Sequence, residues 1–151
     1  MKPILLKSRL FPLFPPSQSG NSGVMKSNLA KFKNKAGCYM IYKNDKLCYV
    51  GFSGYDLATT CYRHFYSWND NAQARVSYKG FISQIKIRVI ITTPTRAQKL
   101  EKALIIKYNP TDNPNKYKGD RPTKTESDIL TAAEHAEITG LNTNVWEEAP
   151  F

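Results

Sequence analysis

Residues 38–51 read Cys-Tyr-Met-Ile-Tyr-Lys-Asn-Asp-Lys-Leu-Cys-Tyr-Val-Gly, and this stretch decides the fold. Its two ends, 38–42 and 46–51, consist mainly of residues that favour strands. The segment between them, Lys43-Asn44-Asp45, has the composition of a turn. The sequence therefore predicts a β-hairpin.

The register of this hairpin determines where two tyrosines lie. A three-residue loop places Tyr39 opposite Tyr49, and opposite residues project from the same face of a sheet. The other face is then lined by Cys38, Met40, Cys48 and Val50. A two-residue loop would instead put the tyrosines on opposite faces, so the position of any shared site depends on the register.

Further elements follow the hairpin. Asp56 is a candidate N-cap for a helix with an apolar stripe of Leu57, Cys61, Phe65 and Trp68. The run Ile-Lys-Ile-Arg-Val-Ile-Ile-Thr at 85–92 is typical of a buried central strand. The predicted helices cover 57–68, 96–108 and 127–138. These elements predict an α/β (α+β) fold with a small three-stranded, mainly antiparallel sheet flanked by helices, in the order β-β-α-β-α plus a C-terminal helix.

Composition divides the chain into three segments. Residues 1–30 are rich in Pro, Ser, Gly and Asn and are predicted to form a flexible N-terminal arm. Residues 31–117 hold the predicted folded domain. Residues 118–151 are predicted to be a basic linker followed by an acidic C-terminal helix and tail.

Charge is distributed unevenly along the 151 residues. Residues 1–125 carry 22 basic and 6 acidic side chains, a net charge of +16, whereas residues 126–151 carry six acids and no base. A body of this charge attracts a polyanion, because phosphates that it neutralises release condensed counterions. Charge therefore favours a nucleic-acid partner over a surface that is charged for solubility alone.

The remaining composition predicts a cytoplasmic protein with no membrane partner. The apolar runs are shorter than the ~20 residues of a membrane-spanning helix, and the N-terminus lacks the features of a signal peptide. The three cysteines have no disulfide or zinc-site spacing, which indicates thiols in a reducing compartment.

Several residues are candidates for chemistry, each with a structural alternative. Glu101 is the only glutamate among the first 125 residues, and it could neutralise neighbouring lysines or hold a hydrated Mg²⁺. Tyr39 and Tyr49 could be a structural cross-strand pair or part of a site. Arg63 could bind a phosphate, and His64 could shuttle a proton or complete the edge of the core.

Five segments in this order resemble the GIY-YIG nuclease superfamily, which includes catalytic domains of homing endonucleases and excision-repair nucleases. Gly37-Cys38-Tyr39 stands in place of Gly-Ile-Tyr, and Tyr49-Val50-Gly51 in place of Tyr-Ile-Gly. Arg63-His64-Phe65 resembles the Arg-His-Phe of homing-endonuclease members. The run 100–105 resembles the metal-binding helix, and Pro110-Thr111-Asp112-Asn113 resembles the family's Pro-x-x-Asn. The resemblance spans residues 36–114.

This resemblance implies a metal-dependent DNA endonuclease with one Mg²⁺ (or Mn²⁺) held by Glu101. The catalytic residues that it implies are Tyr39, Tyr49, Arg63, His64, Glu101 and Asn113. Gly37 and Gly51 would be structural residues of the motif. DNA contacts are expected from Lys86, Arg88, Lys99 and Lys102.

One position departs from the family pattern. The usual catalytic arginine aligns with Thr60, which cannot supply a positive charge, and Arg63 on the adjacent turn is the candidate replacement. The alternative hypothesis is a catalytically inactive GIY-YIG-like module that binds DNA. A protein-binding adaptor that uses the acidic tail is a third hypothesis.

Overall fold

The computed structural model describes residues 7–13, 27–65, 78–113 and 117–138. The strands are β1 (Lys7–Pro12), β2 (Gly37–Lys43), β3 (Lys46–Ser53) and β4 (Ile85–Ile91), and the helices are α1 (Leu57–Tyr62), α2 (Pro94–Tyr108) and α3 (Lys124–Ile138). Two short 3-10 turns, Asn28–Phe32 and Lys79–Gln84, precede β2 and β4. The predicted α/β class is confirmed. None of the helices in these ranges is long and apolar enough to cross a bilayer.

The sheet has four strands, one more than predicted, in the order β1-β4-β2-β3, and every neighbouring pair is antiparallel. The additional strand, β1, lies within residues 1–30, so the prediction of a flexible arm over that whole segment is wrong. β1 is fixed because Phe11 and Leu13 are buried, and Phe11 stacks on Phe32 at 5.5 Å between ring centroids. Pro12 is tolerated because β1 is an edge strand.

The hairpin of β2 and β3 has a two-residue turn, not the predicted three-residue loop. Asn44 and Asp45 have φ of 51° and 66°, the left-handed backbone that such turns require. A bulge then shifts the register, so that Ile41 pairs with Tyr49 and Tyr39 pairs with Gly51. The predicted pairing of Tyr39 with Tyr49 is therefore wrong.

The bulge nevertheless keeps both tyrosines on one face. Tyr42 pairs with Leu47 and Ile41 with Tyr49, which leaves Cys48 as the extra residue. One inserted residue restores the alternation that the shorter turn would have reversed. As a further consequence, Cys48 packs with Ile41 on the tyrosine face, and not with Cys38, Met40 and Val50 as predicted.

The two faces of the sheet carry separate parts of the core. We call them the α1 face, which presents Tyr39, Ile41, Ile87 and Val89 to α1 and the first 3-10 turn, and the α2 face, which presents Cys38, Met40, Val50 and Ile90 to α2 and α3. α3 packs on α2 through Ile129, Leu130 and Ala133. The described part of the predicted C-terminal segment is therefore part of the core.

The helices begin and end for identifiable reasons. Asp56 caps α1 by accepting a hydrogen bond from the Thr59 amide, as predicted, and α1 ends at Tyr62, earlier than predicted. Thr93 caps α2, which ends before the left-handed Asn109. A capping box between Thr123 and Glu126 begins α3. Trp68, which was predicted to extend the apolar stripe of α1, lies outside the described residues.

Candidate active site

A buried hydrogen bond between Tyr39 and His64 forms the centre of the α1 face. The Tyr39 hydroxyl lies 2.8 Å from His64 Nε2, and each residue is only 3% exposed. Tyr39 projects from β2, and His64 follows the end of α1, where its amide donates to the Cys61 carbonyl. A phenol and an imidazole at this distance can exchange a proton.

Tyr49 completes an aromatic cluster around this pair. Its ring centroid lies 4.6 Å from that of His64 and 6.2 Å from that of Tyr39. All three residues were candidate site residues in the sequence, and the structure places their side chains together. Packing of this kind holds the imidazole in position and limits its contact with water.

The two glycines of the motif have different packing roles. A Cβ on Gly51 would lie 2.4 Å from the Tyr39 hydroxyl. The phenol therefore lies over the edge strand β3 at a residue that has no side chain. A Cβ on Gly37 would lie 2.2 Å from the Ile90 carbonyl oxygen, so this glycine allows β2 and β4 to approach. Gly51 is therefore part of how Tyr39 is positioned.

Tyr78 and Asp112 extend the cluster, and sequence reasoning did not select either as a functional residue. The Tyr78 hydroxyl donates to Asp112 Oδ2 at 2.6 Å, its amide donates to the His64 carbonyl, and its ring centroid lies 6.3 Å from that of His64. Tyr78 lies in a mixed polar stretch without periodicity. Asp112 lies within the Pro-x-x-Asn segment, which was the available signal.

Arg63 supplies positive charge beside Tyr39. It caps the C-terminus of α1, and its Nε is buried without a hydrogen bond to the described residues. Burial raises the pKa of Tyr39 well above its usual range, and the Arg63 charge lowers it. Thr60, at the position of the missing arginine, donates to Ser53 Oγ at 3.1 Å. Arg63 is thus the cation that acts on the tyrosine.

Glu101 is buried, 6% exposed, on the other face of the sheet. The Tyr117 hydroxyl donates to Glu101 Oε1 at 2.8 Å. Burial raises the pKa of the Cys38 thiol, and the charge of Glu101 raises it further, which places the carboxylate near Cys38 on the α2 face. Tyr39 follows Cys38 in β2 and projects to the α1 face. Convergence of Tyr39, Tyr49 and Glu101 on a single face, which the motif suggested, is therefore not observed.

The Tyr39 ring and Asn113 contact the edge strand β3 at adjacent residues. The Tyr39 ring lies over Gly51. Asn113 holds the adjacent Val50, accepting from its amide and donating to its carbonyl, both at 2.9 Å. Tyr117, the partner of Glu101, follows four residues after Asn113. Asn113 thus supports β3 next to the residue over which Tyr39 lies.

The residues around Glu101 limit the kind of metal that could bind. In the described ranges there is no group of three or more His, Cys, Asp or Glu side chains that could hold a metal. Mg²⁺ does not need one, because it retains several waters and takes one or two carboxylates. Glu101 is a carboxylate of the kind that a hydrated Mg²⁺ takes, and Tyr117 donates a hydrogen bond to it. The donor set fits a hydrated Mg²⁺ and does not fit a fully protein-ligated ion.

The predicted DNA contacts divide into exposed and buried positions. Lys86 is exposed and pairs with Asp45 at 3.2 Å, and Lys99 is half-buried on α2. Lys102 lies 3.5 Å from Glu126 and over the Tyr117 ring.

Arg88 is only 5% exposed, so its prediction as a surface contact is wrong. It lies in the middle of β4, which has β1 and β2 on its two sides, and it projects to the face that α2 and α3 cover.

No protein-family model matches this chain, and no curated protein or solved structure is significantly similar to it. The resemblance to GIY-YIG nucleases therefore rests on the order and spacing of the motifs.

Proposed function

We propose that this protein is a metal-dependent DNA endonuclease that hydrolyses phosphodiester bonds with one hydrated Mg²⁺ or Mn²⁺. The observation that carries the proposal is the buried hydrogen bond between Tyr39 and His64, enclosed by Tyr49 and adjacent to Arg63. The order of the motifs in the sequence supports the same chemistry.

Tyr39 is proposed to act as a proton relay. Because burial raises its pKa, its hydroxyl stays protonated at neutral pH and cannot act as a phenolate base. It can accept a proton from the attacking water while its own proton passes to His64 Nε2. This assignment requires the His64 tautomer in which Nε2 is unprotonated and accepts the hydrogen bond from the Tyr39 hydroxyl.

Arg63 is proposed to neutralise the phosphate in place of the arginine that Thr60 replaces. A guanidinium can bind two phosphate oxygens at once, and Arg63 already lowers the pKa of the neighbouring Tyr39. The substrate phosphate would lie at the Gly51 edge, between Arg63 and Glu101.

Glu101 would hold the metal, with Tyr117 orienting the carboxylate. When bound, the ion would supply positive charge that stabilises the phosphorane-like transition state and the leaving oxygen. Asn113 would keep β3 at a fixed position between the carboxylate and the tyrosines.

DNA is the proposed partner, on the basis of the net charge of +16 over residues 1–125. Lys99 and Lys102 on α2 are proposed phosphate contacts. The cytoplasm is the proposed compartment, because the buried Cys38, Cys48 and Cys61 are thiols without disulfides.

Cleavage of supercoiled plasmid in Mg²⁺ or Mn²⁺ tests this proposal. Wild-type protein is expected to nick the plasmid, and Glu101→Gln to lose at least about 10²-fold of that rate, since it removes the proposed metal ligand. Asp128→Asn, at a carboxylate that is 45% exposed and pairs with Lys124 within α3, is the control and should cut normally. Wild-type cleavage no faster than that of Glu101→Gln would end the enzyme proposal.

An inactive DNA-binding module is the second candidate, favoured by Thr60 and its hydrogen bond to Ser53. It predicts salt-sensitive DNA retention without nicking by the wild type. The plasmid assay, combined with a gel-shift measurement, separates the two.

A further inference from the structure

A groove next to the aromatic cluster is not explained by the proposed chemistry. It lies at the turn end of the hairpin on the α1 face and has a volume of about 570 Å³. The groove is lined by Lys43, Asn44, Lys46, Tyr78, Phe81 and Asp112, among others. Grooves of roughly 300–1,000 Å³ hold ligands of nucleotide size.

Two lysines at one end of this groove form no ion pair with any residue that the structure describes. Lys43 and Lys46 are directly opposite each other across the two-residue turn. Like charges at opposite positions of a hairpin repel. Across the described ranges, no carboxylate forms an ion pair with either lysine, whereas the nearby Lys86 pairs with Asp45. An anion placed between Lys43 and Lys46 would relieve the repulsion.

An exposed aromatic ring lies beside these lysines. Phe81 is 40% exposed, in the 3-10 turn before β4. The ammonium of Lys43 lies 3.5 Å from the Phe81 ring centroid, which fixes the ring next to the positive charge. An exposed aromatic face next to lysines is the arrangement that binds unpaired nucleotides, with the base stacked and the phosphate neutralised.

The groove has an acidic end as well. Asp112 accepts the hydrogen bond from Tyr78 at the side remote from the turn. Its carboxylate repels phosphate and can accept from a base amino group, so the two ends orient a nucleotide in one direction. The Tyr78 ring centroid lies 6.3 Å from that of His64, so one residue of the groove lining borders the candidate active site.

We infer that this groove binds one unpaired nucleotide of the substrate strand, with its base against Phe81 and its phosphate between Lys43 and Lys46. The inference rests on the proposed function, since it assigns the structure of the substrate that the Tyr39–His64 site acts on. The chemistry of base and phosphate is common to DNA and RNA.

Binding in the presence of a chelator tests the inference separately from cleavage. Fluorescence anisotropy compares a labelled DNA duplex that carries one unpaired nucleotide with the same duplex fully paired, and an RNA arm repeats both. The wild type should bind the first duplex more tightly. Phe81→Ala should lose most of that preference, a reduction of roughly 5- to 100-fold for one stacked base. Phe81→Leu, which keeps apolar volume and removes the aromatic face, should behave the same way.

Charge changes give an independent readout. Lys43→Gln and Lys46→Gln should each weaken binding and make the salt slope shallower by about 0.7 to 0.9 per lost phosphate contact. Lys33→Gln, at an exposed lysine after the first 3-10 turn, should change affinity less than about twofold.

Three results would overturn the inference, whether or not the protein cleaves DNA. They are equal binding of the two duplexes by the wild type, an unchanged preference in both Phe81 variants, and salt slopes of the Lys43 and Lys46 variants that match Lys33→Gln. A preference for the unpaired nucleotide in DNA alone would identify DNA as the ligand. The same preference in both DNA and RNA would show that the groove recognises the base and phosphate common to both.

Discussion

The two faces of the sheet, on either side of the edge strand β3, differ in how their polar side chains are paired. On the α1 face, polar side chains are hydrogen-bonded to one another in pairs beside aromatic rings, as in Tyr39 with His64 and Tyr78 with Asp112. On the α2 face, the carboxylate of Glu101 lies near apolar residues and accepts from Tyr117, which comes from a loop. In the proposed mechanism, the α1 face would serve proton transfer and the carboxylate on the α2 face would hold the metal.

This separation has an electrostatic consequence. A carboxylate beside Tyr39 would raise the phenol pKa further, because it disfavours a second negative charge nearby. With Glu101 across the sheet, the groups that raise the Tyr39 pKa after burial are Cys61, Tyr49 and Cys38, and Arg63 opposes them. In the proposed mechanism, this separation would keep the charge of Glu101 from raising the pKa of Tyr39.

Removing the hydroxyl of Tyr39 from the α1 face should have the largest effect on plasmid cleavage. Tyr39→Phe deletes the hydroxyl that bridges to His64, and we expect a roughly 10²–10⁴-fold loss of Mg²⁺-dependent plasmid cleavage. Tyr55→Phe, at a residue that is 69% exposed, is the matched control and should retain the wild-type rate. Equal rates for the two variants would remove Tyr39 from the mechanism.

Adding one carbon to the edge strand should disturb the same face without changing any functional group. Gly51→Ala places a Cβ 2.4 Å from the Tyr39 hydroxyl, so we expect the phenol to move from His64. The cost of such overpacking is about 1–3 kcal/mol in the free energy of unfolding, with at least about a tenfold loss of cleavage. In Gly54→Ala the nearest atom is 3.7 Å away, and both quantities should stay unchanged. Plasmid cleavage and urea unfolding measure the difference.

Removing the hydrogen bonds from Asn113 tests whether they hold the edge strand β3 in position between the two faces. Asn113→Ala removes two hydrogen bonds to Val50, which we expect to lower the free energy of unfolding by about 1–3 kcal/mol. Hydrogen exchange at the Val50 amide should become faster than in Thr111→Ala, an exposed neighbouring change. Unaltered exchange in Asn113→Ala would show that β3 is held by other contacts.

Alkaline pH should weaken the α1 face selectively. Burial raises the pKa of Tyr39 and of Tyr78, and the hydrogen bond to Asp112 raises the latter further. A raised pKa contributes stability that is complete below the unfolded value of about 10 and is lost as the pH rises through the folded value. Urea midpoints should therefore fall above about pH 10, and less steeply in Tyr39→Phe than in Tyr55→Phe. Urea midpoints that fall equally with pH in the two variants would contradict a raised pKa for Tyr39.

Local patterns were sufficient to predict that the hairpin and the three helices exist, but not the register of the hairpin or the end of α1. Asn44 and Asp45 tolerate a left-handed backbone, which permits the two-residue turn, but the bulge at Cys48 depends on packing against the α1 face. Strand β1 was missed because the prolines around it obscured its alternation, with Leu10 exposed and Phe11 buried.

The sequence predicted which residues belong to the candidate site better than it predicted their arrangement in space. Motif spacing selected Tyr39, Tyr49 and His64, which the structure groups together. The face to which Glu101 projects depends on how α2 packs on the sheet, and periodicity along one helix cannot specify that. Tyr78 approaches His64 through tertiary contact alone, without a local signal.

A double-mutant cycle in Mg²⁺-dependent cleavage tests most directly whether the two faces serve one reaction. Cleavage rates are measured for the wild type, Tyr39→Phe, Glu101→Gln and the double variant. Residues that act as a unit are strongly non-additive, so the double variant should be about as slow as the slower single variant. Rates that multiply independently, or a wild type that does not cut faster than the variants, would contradict a single active site across β3.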